Sequence, residues 1–93
     1  MIEPLSESVQ RGIVLLDRKQ PDWFTRIDTQ RLDINECYDC ILGQLFGSYT
    51  EGRKQLDLLD RYDASTGFIG DNESYGVILT EYWRAAIRER MRD

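Results

Sequence analysis

The sequence predicts a mainly all-α fold, a compact domain of three or four helices with at most one short β-ribbon, formed by residues 1–93. Apolar residues recur at intervals of three and four in two long segments, which is the period of an amphipathic helix. Residues that favour helix starts and ends flank these segments. A hydrophobic fraction of 41% in 93 residues is enough for one buried core. We therefore expect a single small globular domain.

The segment from Asn35 to Tyr49 is expected to form a central, buried helix. Its apolar side chains fall in two neighbouring rows, Cys37, Ile41 and Leu45 in one and Leu42, Phe46 and Tyr49 in the other. A helix with two apolar rows needs neighbours on both sides. Asp33 or Asn35 is expected to be its N-cap, with Glu36 in the first turn.

Two glycines in this segment have predicted roles. Gly43 should allow close approach of the last helix or of a second copy of the chain, since a mid-helix glycine otherwise costs about 1 kcal/mol relative to alanine. Gly47 should be the C-cap of the helix or a sharp bend. A third helix from Tyr49 to Leu59 is expected to follow, with Leu56 and Leu59 facing inward.

The first helix is expected to run from the N-cap Ser6 to just before Pro21. It should bury a stripe at helical spacing, Val9, Ile13 and Leu16. The connector that follows is expected to contain at most one short strand, Leu32–Ile34. That strand would pair with Phe68–Ile69, which lies in a long loop over residues 60–72.

The last helix is expected to start at Asn72 or Ser74. Its apolar residues predict one broad apolar face, formed by Tyr75, Ile78, Leu79, Tyr82, Trp83, Ala86 and Ile87. Arg84, Arg88 and Arg92 line the opposite side, where cations in the last turns suit the negative end of the helix dipole.

Composition excludes or disfavours several functions. The net charge of −5 makes nucleic acid an unlikely main partner, because that binding depends on Lys and Arg displacing counterions. Histidine, the commonest general base and metal ligand, is absent. The longest apolar run has four residues and the start lacks the pattern of a signal peptide, so we expect no membrane span and a cytoplasmic location.

The two cysteines form a C-x-x-C pair, Cys37 and Cys40, near the start of the predicted central helix. The favoured interpretation is two small apolar residues that pack on the buried face as reduced thiols. An alternative is a thiol-disulfide oxidoreductase, although nearby acidic residues oppose thiol ionisation. Zinc needs about four ligands, so a zinc site would require two chains to share their cysteines. We expect no cofactor and no catalytic residues.

Two further motifs are weak. Acidic residues around the long loop suggest calcium, but Asp57, Asp60, Asp63, Asp71 and Glu73 do not keep the ligand spacing of an EF-hand. The segment from Gly43 to Gln55 resembles a helix-turn-helix, which gives a DNA-binding regulator as another alternative. Ser48 and Arg53 fall where that motif buries apolar residues.

Several segments together resemble a family of small uncharacterised proteins from actinobacterial phages and prophages. They are residues 11–17 (RGIVLLD), 21–23 (PDW), 37–49 (CYDCILGQLFGSY) and 79–84 (LTEYWR). The 37–49 segment is the most specific part. The resemblance implies a setting, the cytoplasm of an infected or lysogenic bacterium. It carries over no activity and no catalytic residues.

The leading functional hypothesis is a small protein-interaction module that acts on a host or phage protein, with self-association also possible. The chain has more aromatic residues than one central helix is expected to hide, and interface centres favour Trp, Tyr and Arg. We expect a partly exposed binding face with aromatic anchors from the Pro21 turn and the last helix, and arginines at its rim. Its candidate residues are Trp23, Phe24, Trp83, Arg84 and Arg88.

Overall fold

Residues 5–56, 66–70 and 72–91 are described by the computed structural model. Within these ranges the chain forms α1 (Leu5–Lys19), a 3₁₀ helix (Trp23–Arg26), α2 (Ile41–Phe46), α3 (Tyr49–Gln55) and α4 (Glu73–Met91). The predicted all-α class is confirmed. The described ranges contain no strand, so Leu32–Ile34 and Phe68–Ile69 do not form the ribbon.

The two long helices, α1 and α4, pack against each other. The predicted stripe of α1 is buried: Val9, Ile13 and Leu16. Gly12 sits at the contact, where an added Cβ would lie 2.8 Å from the Trp83 ring and would meet the Thr66 carbonyl. Helix α1 already includes Leu5, so Ser6 lies within the helix and is not its N-cap.

The predicted central helix is wrong over its first half. Residues 33–40 form turns, and α2 has only six residues. The boundary lies at Cys40, whose backbone is extended (φ −72°, ψ 175°) and whose Sγ accepts the Gly43 N–H at 3.2 Å. Cys40 is therefore the N-cap. Asp33 instead accepts the Asn35 N–H at 3.0 Å in the preceding turn, so neither Asp33 nor Asn35 caps α2.

The two glycines of this region behave in part as expected. Gly47 has φ 98° and its N–H donates to the Gly43 carbonyl at 2.9 Å, so its predicted C-cap role is confirmed. Gly43 is a point of close approach, but its neighbour is the backbone of Cys37 and Tyr38 rather than the last helix. A second approach occurs at Gly52, where α3 packs on Leu42 of α2.

Helix α3 ends at Gln55 and is followed by the buried Leu56, whereas the predicted inward position of Leu59 lies outside the described residues. The same holds for most of the predicted 60–72 loop, of which Phe68 is buried. Helix α4 begins as predicted, because the Asn72 Oδ1 accepts the Tyr75 N–H at 3.0 Å. No helix in the described part of the chain has the length and apolarity to cross a membrane.

Helix α4 is the element against which the other segments assemble. The Thr80 Oγ1 accepts the Ile34 N–H at 2.9 Å, and Asn35 donates through Nδ2 to the Glu73 carbonyl at 3.0 Å. The Asn35 side chain occupies the space that a side chain at Gly76 would need. The connector between the 3₁₀ helix and α2 therefore lies on the Gly76 and Thr80 side of α4.

Candidate functional site

The two tryptophans expected at a surface are both fully buried, so the predicted exposure of Trp23 and Trp83 is wrong. Each indole N–H has a partner: Trp83 Nε1 donates to the Gly67 carbonyl at 2.7 Å, and Trp23 Nε1 donates to Asp17 Oδ1 at 3.0 Å. Burial of a large ring with a satisfied N–H is a stable arrangement. Neither ring can contact a partner while the core is intact.

The other three predicted binding residues lie in different environments. Phe24 is half-buried, edge-on to Trp23 at a centroid distance of 5.8 Å, with the Arg90 guanidinium 5.5 Å from its ring. Arg88 is exposed. The use of Phe24 and Arg88 in binding stays a prediction.

Arg84 stabilises the fold and does not lie at the rim of a binding face as predicted. Its Nε donates to the Thr29 carbonyl at 2.8 Å and its Nη2 to the Leu32 carbonyl at 3.2 Å, and it pairs with Glu81 on the same helix. These bonds fix residues 29–32 of the connector on α4. Its donors are therefore directed into the protein rather than toward a partner.

A bidentate ion pair joins the ends of α1 and α4. The Arg90 guanidinium donates to both Asp17 oxygens, at 3.0 and 2.6 Å. The hydrogen bond from Arg90 is the main reason that the pKa of the Asp17 carboxyl lies below its ordinary value, with a smaller contribution from Trp23 and an opposing one from burial. We assign this pair a structural role.

Three exposed apolar side chains of α4 lie in one row, which we call the outer stripe: Tyr75, Ile78 and Tyr82. Val77 and Met91 on the same helix are also exposed but do not belong to this row. The three stripe residues are 38%, 43% and 42% exposed, whereas Leu79, Trp83 and Ile87 on the inner side are buried. Their spacing of three and four residues places them on one side of the helix over about 10 Å. The exposed Ala85 continues the row at the next step of three.

A surface cleft of about 280 Å³ lies at the N-terminal end of the outer stripe. It is lined by Ile34, Asn35, Glu36, Cys37, Cys40, Tyr49, Ile69 and Gly70. Gly70 connects the two features, because a Cβ added there would lie 3.1 Å from the Tyr75 Cβ. The cleft and the outer stripe are thus adjacent on one side of the molecule.

Both cysteines line this cleft, but they are not equivalent. Cys37 is exposed, so the prediction that it packs on a buried face is wrong; it lies in a turn rather than in a helix. Cys40 is 1% exposed, as predicted. Burial raises the pKa of the Cys40 thiol, while the hydrogen bond from the Gly43 N–H opposes that shift. In the reduced protein the Cys40 thiol is therefore protonated and buried, whereas the Cys37 thiol is accessible to solvent.

No three side chains among the Cys, Asp and Glu residues of the described ranges are grouped to hold an ion. A zinc site shared between two chains is an alternative that this single chain does not test. The acidic loop residues Asp57, Asp60, Asp63 and Asp71 lie outside the described residues, and Glu73 lies in the first turn of α4.

The helix-turn-helix alternative corresponds to α2, Gly47, Ser48 and α3. The two helices have six and seven residues, and Ser48 caps α3 by accepting the Glu51 N–H at 3.1 Å. The second helix carries Glu51 beside Arg53 and Lys54, and Arg53 is half-buried near the Tyr49 ring. This helix presents no continuous basic face of the kind that phosphate contacts need. DNA binding stays an untested alternative.

No protein-family model, no curated protein and no solved structure matches this chain. The resemblance to phage and prophage proteins therefore stays a prediction.

Sequence reasoning placed the outer stripe on the same apolar face as the core residues of α4, and it chose Trp83 rather than Tyr75 or Tyr82 as the partly exposed aromatic of that helix. The seven apolar positions predicted for α4 span roughly 180° around the helix, wider than one packed face usually requires. One edge of that arc is therefore exposed. The connector contacts Gly76 and Thr80 and so covers one edge of the arc, which leaves the outer stripe at the other edge exposed.

Proposed function

We propose that this chain is a small protein-binding module that acts on a host or phage protein, in the bacterial setting that the resemblance implies, and that the outer stripe of α4 is its binding surface. The observation that carries the proposal is that α4 has apolar side chains on two sides and the fold covers only one. Large, rigid aromatic side chains at a surface are typical anchors of protein interfaces.

The geometry of the stripe favours a helical partner. Tyr75, Ile78, Tyr82 and Ala85 are separated by three, four and three residues, which is the spacing of the apolar seam of a coiled coil. An amphipathic helix laid along this row would cover about 15 Å of α4. An interface of that length is small, so we expect a transient complex.

The test is a comparison of variants in a capture experiment with tagged protein in bacterial lysate. Replacing Ile78 and Tyr82 together by Ser should abolish the specific partner band, because it removes the centre of the stripe. Val77→Ser is the matched control, since Val77 is 57% exposed on the same helix but lies among polar neighbours. Equal capture by the stripe variant and the control would contradict the proposal.

Sedimentation of the purified protein separates self-association from binding to another protein. If the wild-type chain forms a dimer that the Ile78→Ser/Tyr82→Ser variant does not, the partner helix is α4 of a second copy. If the chain is a monomer at all concentrations and still captures a partner through the stripe, the partner is a different protein.

A further inference from the structure

The unequal pair of thiols in the cleft has no part in the proposed binding surface. Cys37 and Cys40 lie in one turn, in which the Cys40 N–H donates to the Glu36 carbonyl at 3.0 Å. The Cys40 Sγ lies 3.6 Å from the carbonyl oxygen of Cys37. The buried sulfur is therefore next to the backbone of the exposed cysteine.

This arrangement is compatible with a disulfide between the two residues. The bond from the Cys40 N–H to the Glu36 carbonyl closes a single turn with the i to i+4 pattern, in which Cα atoms three positions apart lie about 5 Å apart. Disulfides span Cα separations of about 4.4 to 6.8 Å. Rotation of the exposed Cys37 side chain can therefore bring its sulfur to Cys40 with little movement of the backbone.

Access to the pair is one-sided. Cys37 is exposed on the cleft, whereas Cys40 is 1% exposed and its Sγ accepts a hydrogen bond from the Gly43 N–H. A reagent from solvent can reach only the first sulfur. The second sulfur can react only with a group that is already attached to the first.

We propose that Cys37 and Cys40 form a thiol–disulfide exchange site whose substrate is a small disulfide. The Cys37 thiolate attacks one sulfur of the substrate, a mixed disulfide forms, and the first half of the substrate leaves as a thiolate. Cys40 then attacks the Cys37 sulfur, the Cys37–Cys40 disulfide closes, and the second half leaves. The protein loses two electrons and two protons, and the substrate is reduced to two thiols.

The charges around the cleft set a preference among disulfides. Glu36 is an acidic residue of the lining, whereas the carboxylate of Asp39 is paired with Arg31 at 2.8 Å. A full negative charge within about 10 Å of the reacting group changes the rate by about twofold or more per unit charge in water. The site should therefore react faster with a cationic disulfide such as cystamine than with a neutral disulfide of similar size.

The test treats the reduced full-length protein with cystamine and follows its intact mass after an acid quench. Wild type should lose two hydrogen atoms in mass and release two cysteamine molecules. Cys40→Ser should stop at one cysteamine adduct, because no second thiol can displace it. Cys37→Ser should stay unmodified while folded, because its remaining thiol is buried.

Every other outcome contradicts the proposal. A stable adduct on wild type, an unmodified wild type or a disulfide between two chains would each show that the pair does not close. Modification of Cys37→Ser at the wild-type rate would show that Cys40 is not shielded. Cys40→Ala replaces Cys40→Ser if circular dichroism shows that the serine variant is unfolded. The mass change of the wild-type protein tests disulfide closure without either variant.

The charge preference has its own control. Glu36→Gln should lower the rate with cystamine relative to the rate with neutral 2-hydroxyethyl disulfide about twofold or more at low salt, since it removes one negative charge and the ratio cancels any change in Cys37 ionisation. The difference should shrink as salt is added, because salt screens exposed charges. An unchanged ratio would show that the lining charge does not select the substrate.

Discussion

Trp23 and Trp83 meet edge to face, with their ring centroids 5.6 Å apart and their planes at 88°. The opposite contact of Trp83 is the Phe68 ring, which stacks on it at 5.5 Å. One side chain of α4 thus joins the 3₁₀ helix and the 66–70 segment. The two tryptophans that the sequence suggested for a binding surface are instead at the centre of the core.

Replacing Trp83 by Ala should therefore cost about 3–5 kcal/mol in the free energy of unfolding, since it leaves a large cavity between two aromatic rings. Chemical denaturation measures the loss. Tyr82→Ala is the matched control, because it removes an exposed ring one residue away and should cost much less. A similar loss in the two variants would contradict the central position of Trp83.

The Asp17–Arg90 pair predicts a pH dependence of stability. Because the hydrogen bond from Arg90 lowers the pKa of Asp17 below its ordinary value of 3.8 in the folded protein, this carboxylate stabilises the fold above pH 3.8. The contribution is lost as the pH falls through the lowered pKa. Wild type should be more stable than Asp17→Asn at pH 7, by up to about 1 kcal/mol for such a partly exposed pair.

Melting temperatures from pH 7 down to pH 2 measure this effect. The gap between wild type and Asp17→Asn should narrow only below pH 3.8, and Asp22→Asn should show no comparable gap, since Asp22 makes no side-chain capping hydrogen bond. A gap that stays constant over the whole range would show that the ion pair does not stabilise the fold.

Two glycines separate steric from conformational effects. Gly43→Ala places a methyl group against the Cys37 and Tyr38 backbone, which cannot rotate away, so it should destabilise the protein by about 1–3 kcal/mol despite the better helix propensity of Ala. The methyl group of Gly47→Ala would meet nothing within 4 Å. That variant should therefore lose only about 1 kcal/mol or somewhat more in the free energy of unfolding, because a side chain disfavours the φ of 98° at this position. A higher melting temperature for Gly43→Ala would contradict the close approach.

The long helices were predictable because their patterns are local. The stripe of α1 and the Asn72 cap of α4 depend on residues within one or two turns, and both predictions are confirmed. The break at Cys40 was not predictable from periodicity, since Cys37 and Ile41 have helical spacing in either conformation. A thiol as N-cap is not among the residues that usually mark a helix start.

The candidate site was harder to predict because it depends on contacts distant in sequence. The bond between Ile34 and Thr80 spans 46 residues, and it decides which side of α4 is covered. Without knowledge of that contact, the sequence does not distinguish which of the adjacent aromatic residues Tyr82 and Trp83 is buried. The exposure of Cys37 has a local cause instead, since it follows from the turn before α2.

The most direct test of the account is site-specific photo-crosslinking in bacterial lysate with p-benzoylphenylalanine at position 82 and, separately, at position 14. Val14 is 54% exposed on α1 and is the control position outside the stripe. The account predicts a discrete crosslinked product from position 82 that is absent from position 14. The same product from position 14 alone, or equally from both positions, would contradict the assignment of the binding surface to the outer stripe of α4.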